Sequence, residues 1–531
     1  MPTESLPNTC LSCTYEAQAE QTRTVYESCS IANGKACTVC VQYSDLESQI
    51  QETKRILEKQ LEKLRELREA MNWSHDRIVS KSLTEITSII FQHTLPTLRR
   101  DTNGSEIDVW KFIDKKDLCW PLKLGAVSRA WRQIAWSTPQ LWTFVCQKIT
   151  FSKASTPELM EDWLSRAGNL PLSIWLHISA YDETYLNLEK VVNLVNAKSH
   201  RWYEFGIYGP SQSFQLFSGN SSGAPILHTL ELHSNSSNEN DGFFRVNGQD
   251  PRPLHVSIHT FHENITARID WENITRLKIS SNHVQQCLEL VRYTPNLEHW
   301  CLANIFTTLV RLIPITLSKL RTLEIFNVLG VRALLQTLVL PGLTALHFDN
   351  MHSDDDIHRG ILCLHPSSVL KSLSFQWHGN TERLIEILRH FPHLEELEVA
   401  LYSAGSNDTN LFFSLLSDTK TGTGAGTIQA EVFLPSLKSL SYRDYDASTV
   451  NWASLSTLST KRRPLRKLTA DQRHYWDDEA RSIFCGRTVE KHVLQRFLKL
   501  EEAGVCLNLP IPVRRNDLLD LLARSDDDNN K

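Results

Sequence analysis

A chain of 531 residues and 60.8 kDa, 41% hydrophobic and 22% charged, has the make-up of folded globular protein, with room for two or more domains or one extended repeat array. A net charge of −5 carries no nucleic-acid signature, and no apolar run has the length needed to span a bilayer. Residues 1–11 are polar, with Pro2 and Pro7, and lack the charged start and apolar middle of a secretory leader, so the twelve scattered cysteines predict a reducing cytoplasmic or nuclear setting. In that setting the sequons at Asn264 and Asn273 stay unmodified.

Residues 1–42 hold Cys10, Cys13, Cys29, Cys37 and Cys40 in a polar, irregular stretch. The two Cys-x-x-Cys pairs have the form of a four-thiolate zinc site, but neither carries a glycine or aromatic knuckle, and twenty-three residues separate Cys13 from Cys37. A flexible segment with inert thiols is the favoured reading, and no metal or other cofactor is predicted. From residue 43 to 73 a heptad seam appears: Tyr43, Leu46, Ile50, Leu57, Leu64, Leu67 and Met71, with Thr53 and Gln60 as polar exceptions. The spacing predicts a coiled-coil-like helix. Two polar positions in about four heptads favour its packing back on the neighbouring helices over self-association.

Residues 78–146 predict a small helical domain. Ser82, Leu83, Thr84 and Glu85 have the form of a capping box, followed by the stripe Leu83, Ile86 and Ile90, which ends at Pro96. In residues 120–142, Leu124, Val127, Trp131, Ile134 and Ala135 recur at steps of three and four, which predicts helix, with a break near Gly125. Pro139 stops it at Ser137-Thr138, and Leu141 and Trp142 fold back at that corner.

The run Val127-Ser128-Arg129-Ala130-Trp131-Arg132, ending in Ser137-Thr138-Pro139-Gln140-Leu141-Trp142, resembles the second half of the F-box in a large fungal group of F-box proteins, where degenerate leucine-rich repeats follow the box. The first half differs, with Ser82-Leu83 where a Leu-Pro pair is usual and residues 97–119 inserted between the halves. The resemblance implies docking on a Skp-type adaptor of a cullin-RING ubiquitin ligase. Leu124, Val127, Trp131 and Ile134 would be central to the box, with Ile86 and Ile90 supporting it from the first helix.

From residue 147 to 510 a six-residue unit with apolar first, fourth and sixth positions recurs. Its clearest copies begin at Leu227, Ile274, Leu297, Leu320, Leu343, Leu370, Leu394 and Leu437, with an aromatic version at Trp202/Phe205/Ile207. From Ile274 the starts are separated by 23, 23, 23, 27, 24 and 43 residues, the period of leucine-rich repeats with one insertion at residues 403–433. Each unit supplies a short parallel strand and a returning helix or turn, such as residues 283–292, 331–340 and 381–390. The predicted fold class is therefore α/β: an N-terminal helix and a small all-α F-box-like bundle, followed by a leucine-rich-repeat solenoid with a parallel sheet. An acidic tail, residues 511–531, closes the chain.

If the ladder residues face inward, their strand neighbours face out. A target-binding face then comprises Arg276, Lys278, Glu324, Phe326, His347, Glu396 and Glu398, accompanied by His299, Asp349, Gln376 and Arg443. Other candidates are weaker. Gly422, Gly424 and Gly426 lack the Lys-Ser or Lys-Thr pair of a phosphate loop, and Lys461-Arg462-Arg463 with Arg466-Lys467 is read as a solvated linker before a nuclear import signal. His474 beside Asp477, Asp478 and Glu479 is read as a helix start rather than an acid-base cluster. The expected function is that of a non-enzymatic substrate receptor of an SCF-type ubiquitin ligase, with the Skp adaptor, the cullin-RING ligase and an unnamed target protein as partners and with neither nucleic acid nor membrane. The alternative is a repeat scaffold without a ubiquitin role.

Overall fold

The computed structural model describes residues 37–75, 82–94, 119–149, 156–178, 186–235, 242–259, 265–281, 283–306, 313–349, 354–364, 369–378, 380–401, 406–417, 432–444, 455–456, 458, 463–472 and 491–508. Cys10, Cys13, Cys29, the glycine-rich loop at 422–426, the His474 cluster and the acidic tail lie outside these residues. The chain divides into two compact units. Of the described residues, those in 37–94 and 120–137 form one, and those from Thr138 onward belong to the other. The helical domain expected over 78–146 thus ends earlier, and Phe144–Ile149 is a strand.

The helical unit contains α1 (Thr38–His75), α2 (Thr84–His93), α3 (Trp120–Val127) and α4 (Arg129–Trp136). The capping box does not form: Leu83 occupies the N-cap of α2 with no side-chain hydrogen bond. The break between α3 and α4 falls at Ser128 rather than Gly125, because the Ser128 hydroxyl accepts from Trp131 N at 3.2 Å and restarts the helix. Packing on α1 also differs from expectation. Tyr43, Leu46, Ile50, Leu57, Leu64, Leu67 and Met71 are all exposed, between 43 and 57%, so the seam is not packed back on the other helices. An exposed ion pair, Arg129 Nη1 to Glu69 Oε2 at 3.7 Å, joins α1 to α4.

In the second unit, Pro139–Trp142 forms a turn of 3₁₀ helix that buries Leu141 and Trp142. Trp142 packs edge-on against Trp163 of α5 (Thr156–Arg166), 4.8 Å between ring centres. The strands are β1 (Phe144–Ile149), β2 (Leu172–Ile178), β3 (Trp202–Gly209), β4 (Thr229–Ser234), β5 (Gly242–Arg245), β6 (His255–His259), β7 (Ile265–Arg268), β8 (Arg276–Ser280), β9 (His299–Ala303), β10 (Ile315–Thr316), β11 (Thr322–Phe326), β12 (Leu338–Val339), β13 (Ala345–Asp349), β14 (Ser372–Trp377), β15 (Glu396–Leu401), β16 (Ser439–Asp444), β17 (Lys467–Gln472) and β18 (Cys506–Asn508). Among the described residues, fourteen of them form one parallel sheet in chain order, while β5 pairs with β7 and β10 with β12 in two small ribbons. The molecule is therefore mixed α/β with a large parallel sheet.

The cause is the ladder. Leu323 and Ile325 of β11, Leu346 and Phe348 of β13, and Leu397 and Val399 of β15 are buried, and strands such as β11 alternate buried with half-buried residues. Returning helices cover this apolar side with residues such as Val284, Cys287, Leu288 and Val291 of α7 (Val284–Val291), α6 being Leu186–Ala197. A second device closes several units. Ser281, Asn304 and Asn327, one residue past β8, β9 and β11, adopt left-handed φ of 59°, 52° and 51°. Their backbone N–H groups donate to Ala303, Phe326 and Asp349 of the next strand, each at 2.8 Å, and Asn327 Nδ2 donates to Asn304 Oδ1 at 2.7 Å. Asparagine tolerates this region because its short polar side chain bonds locally.

The basic run near residue 463 is not a solvated linker at its centre. Arg463 is buried and donates to the carbonyls of Phe433, Leu415 and Leu416, at 2.9 Å from Nε to Phe433 and 2.6 Å from Nη1 to Leu416. The cation thus sits on the last carbonyls of the helix Ser406–Leu416, where the helix dipole is negative. Lys467 opens β17.

Candidate functional site

In the helical unit the apolar stripe of α2 faces outward. Leu83, Ile86 and Ile90 are 71, 48 and 40% exposed, and Val127 at the end of α3 is 55% exposed. As core residues, Ile86, Ile90 and Val127 are corrections: the α2 positions that enter the core are Thr87 and Phe91. Phe91 lies against half-buried Trp131, 4.7 Å between ring centres, and this contact fastens α2 to α4. Leu124, Ile134 and Ala135 complete the core. Two polar links brace it: Trp120 Nε1 donates to Thr94 Oγ1 at 2.9 Å, and Arg132 Nε donates to Gly125 O at 2.9 Å. Trp136 is exposed beside the Arg132 guanidinium, 5.7 Å from its ring centre. A small helical unit that leaves Leu83, Ile86, Ile89, Ile90, Val127 and Trp136 in solvent has the character of a docking surface.

On the sheet, the strand register places the sequence-selected residues in rows. One row reads Glu231, Ser257, Lys278, Cys301, Glu324, His347, Ser374, Glu398 and Ser441. Beside it Arg276 adjoins His255 and His299, and on the other side Phe326 adjoins Ala303 and Asp349. Lys278, Glu324, His347 and Glu398 thus share one row, flanked by Arg276 and Glu396 on one side and Phe326 on the other. Glu396 is exposed at the start of β15, whereas Glu398 is tied down, accepting from Arg443 Nη2 at 2.8 Å and from the Ser374 hydroxyl at 3.1 Å.

The electrostatics are mixed. Burial pushes the Glu324 carboxyl up, but the hydrogen bond and charge of His299, whose Nε2 lies 3.1 Å away, together with His347 and Cys301, outweigh it and hold the group below the usual range. For Asp349 the balance is reversed: burial raises it and the nearby His347, Arg443 and His378 only partly oppose this. Between these charges small side chains leave a hollow of about 280 Å³ lined by Thr229, His255, Arg276, Lys278, Cys301 and Phe326, among others.

A second set escaped the sequence reading. His177, Tyr208, His233 and His259 lie side by side on β2, β3, β4 and β6, with ring centres 4.6, 4.4 and 3.9 Å apart. The signal was available, since each follows directly on the last apolar residue of its strand unit: Leu176, Ile207, Leu232 and Ile258. Burial, then the charges of His259, Lys278 and His177, push the His233 imidazole down to about 3, so it is neutral near neutral pH. Next to this row the backbone of Gly206 runs under Trp175, where a Cβ would fall 2.2 Å from the indole. Only glycine admits that approach.

Burial pushes the thiols of Cys146 and Cys287 up to about 12, which keeps both protonated. Cys37 and Cys40 lie at the start of α1 with sulfurs 3.5 Å apart, and among the described residues no group of three or more His, Cys, Asp and Glu side chains is placed to hold a metal ion. Among them, too, no helix is long and apolar enough to cross a membrane. The described residues present two surfaces, one apolar and helical, the other polar and built on parallel strands. No family model matches the chain and no curated protein matches it.

Proposed function

We propose that the chain is a substrate-recognition subunit of an SCF-type ubiquitin ligase, with an F-box-like helical unit that docks on a Skp-type adaptor and a leucine-rich-repeat solenoid whose polar sheet face holds a target protein. The observation that carries this reading is the outward apolar stripe of α2, Leu83, Ile86 and Ile90, in the same unit as the Val127–Arg132 run that resembles the F-box. Those side chains are unused by the unit's own core, which Phe91, Leu124, Ile134 and Ala135 fill without them. Leu124, Trp131 and Ile134 shape the unit, while Ile86, Ile90 and Val127 meet the adaptor. The chain does no bond-making itself. It contributes proximity, holding a target lysine near the charged conjugating enzyme for long enough to react.

On the sheet face, Arg276, Lys278, Glu324, Phe326, His347, Glu396 and Glu398 meet the target. The face runs from basic Arg276 and Lys278 on β8 to acidic Glu396 and Glu398 on β15, which suits a partner of mixed charge. The reading is tested by titrating the purified chain with purified Skp-type adaptor. Ile86→Asp with Ile90→Asp removes two apolar contacts and sets charges in their place, so binding should weaken at least a hundredfold with the helical content unchanged. Failure of the unaltered chain to bind the adaptor, with the sheet face still capturing protein, would leave a repeat scaffold without a ubiquitin role.

A further inference from the structure

The helix α1 is 38 residues long, about 57 Å at the usual rise, and its seam from Leu46 to Met71 stands in solvent over its whole length. Apolar stripes of that extent are costly in water. With Tyr43 as heptad position a, two ion pairs on the outer face close within the helix, Arg55 with Glu52 at 2.9 Å and Arg65 with Glu62 at 3.0 Å. Glu47 and Arg68, which flank the seam at two e positions, make no ion pair among the described residues.

We infer that α1 self-associates with α1 of a second copy as an antiparallel two-helix coiled coil. Antiparallel pairing brings e positions of the two helices together, so Glu47 of each copy meets Arg68 of the other. In the same register Leu46 faces Met71, Ile50 faces Leu67, and the polar Thr53 and Gln60 each face a leucine, Leu64 and Leu57. Parallel pairing does the opposite: it stacks Thr53 on Thr53 and Gln60 on Gln60, and it sets Lys63 at a g position against Arg68 at the following e. Like charges there are repulsive twice over. The seam is long enough for this partner, since four heptads exceed what an isolated marginal helix needs. The inference does not rest on the adaptor reading, because it uses no residue of α2, α3 or α4.

The test is the molar mass of the full chain by sedimentation equilibrium across the micromolar range, with the melting temperature as a check on folding. The unaltered chain should reach twice 60.8 kDa. Leu57→Asp with Leu64→Asp should hold it at 60.8 kDa with a melting temperature no lower than that of the unaltered chain diluted until it is single, since both side chains are exposed in the single copy. Arg68→Glu should weaken self-association roughly tenfold by setting two pairs of carboxylates together, and adding Glu47→Arg should restore it. A chain that stays at 60.8 kDa at every concentration overturns the inference. So does a Leu57→Asp/Leu64→Asp variant that remains double. An Arg68→Glu variant that associates more tightly contradicts the antiparallel order, because in a parallel pair that change removes the repulsion from Lys63.

Discussion

Phe91 and Ile90 stand side by side on α2 with opposite fates: the first is buried against Trp131 and the second is exposed. Replacing Phe91 with alanine should destabilise the helical unit by roughly 3–5 kcal/mol, as large-to-small changes in a packed core do. Hydrogen exchange in residues 84–94 and 120–136 should then quicken, with exchange in the sheet unchanged. His233 makes a different kind of prediction. Its imidazole is held near 3 in the folded chain, against about 6.5 when unfolded, by burial and by the charges of His259, Lys278 and His177. The unfolded chain takes up a proton below about 6.5 that the folded chain refuses until about 3. The associated stability is complete above 6.5 and falls as the pH drops toward 3. His233→Tyr, which keeps a ring between Tyr208 and His259, should flatten the decline of melting temperature with acidification over that window. Equal slopes in both proteins would show that His233 titrates normally.

At the level of elements, the strand ladder carries the sheet unit. Leu323→Asp in β11 removes roughly 1.5–3 kcal/mol of burial and forces a carboxylate into the apolar layer. The melting temperature should fall by many degrees, whereas Glu396→Lys, at an exposed position of β15, should leave it nearly unchanged. Most of this ladder was legible because one period repeats wherever a strand must bury leucines beside its neighbour. Where β6 was missed, Pro253 takes the first apolar place of the unit and is buried there; where β17 was missed, Leu465 and Leu468 are followed by the small Ala470 at the sixth. The faces of the helices were less legible. Periodicity marks an apolar stripe but not what covers it, so Ile86, Ile90 and the α1 seam read as core from sequence although all are exposed. The left-handed asparagines at 304 and 327 were invisible for another reason, as backbone angle leaves no trace in hydrophobic pattern.

For the whole molecule, the division into two units matters because the two jobs assigned to them call for different chemistry. The helical unit offers apolar side chains at fixed spacing, which on the proposed reading meet one constant partner; the sheet offers a polar face whose row of Lys278, Glu324, His347 and Glu398 would, on the same reading, discriminate by charge. Glu398 is already engaged by Arg443 and Ser374, so reversing its charge would strand the guanidinium and disturb the fold. Glu396 and Phe326 are cleaner probes. The most direct test of the account is mass spectrometry of what co-purifies with three forms of the full chain: unaltered, Ile86→Asp/Ile90→Asp, and Phe326→Ser/Glu396→Lys. The account predicts that the α2 variant loses the Skp-type adaptor and cullin but keeps its other partners, while the sheet variant keeps the adaptor and cullin and loses target proteins. Absence of the adaptor from the unaltered chain, or loss of both sets together in either folded variant, would contradict it.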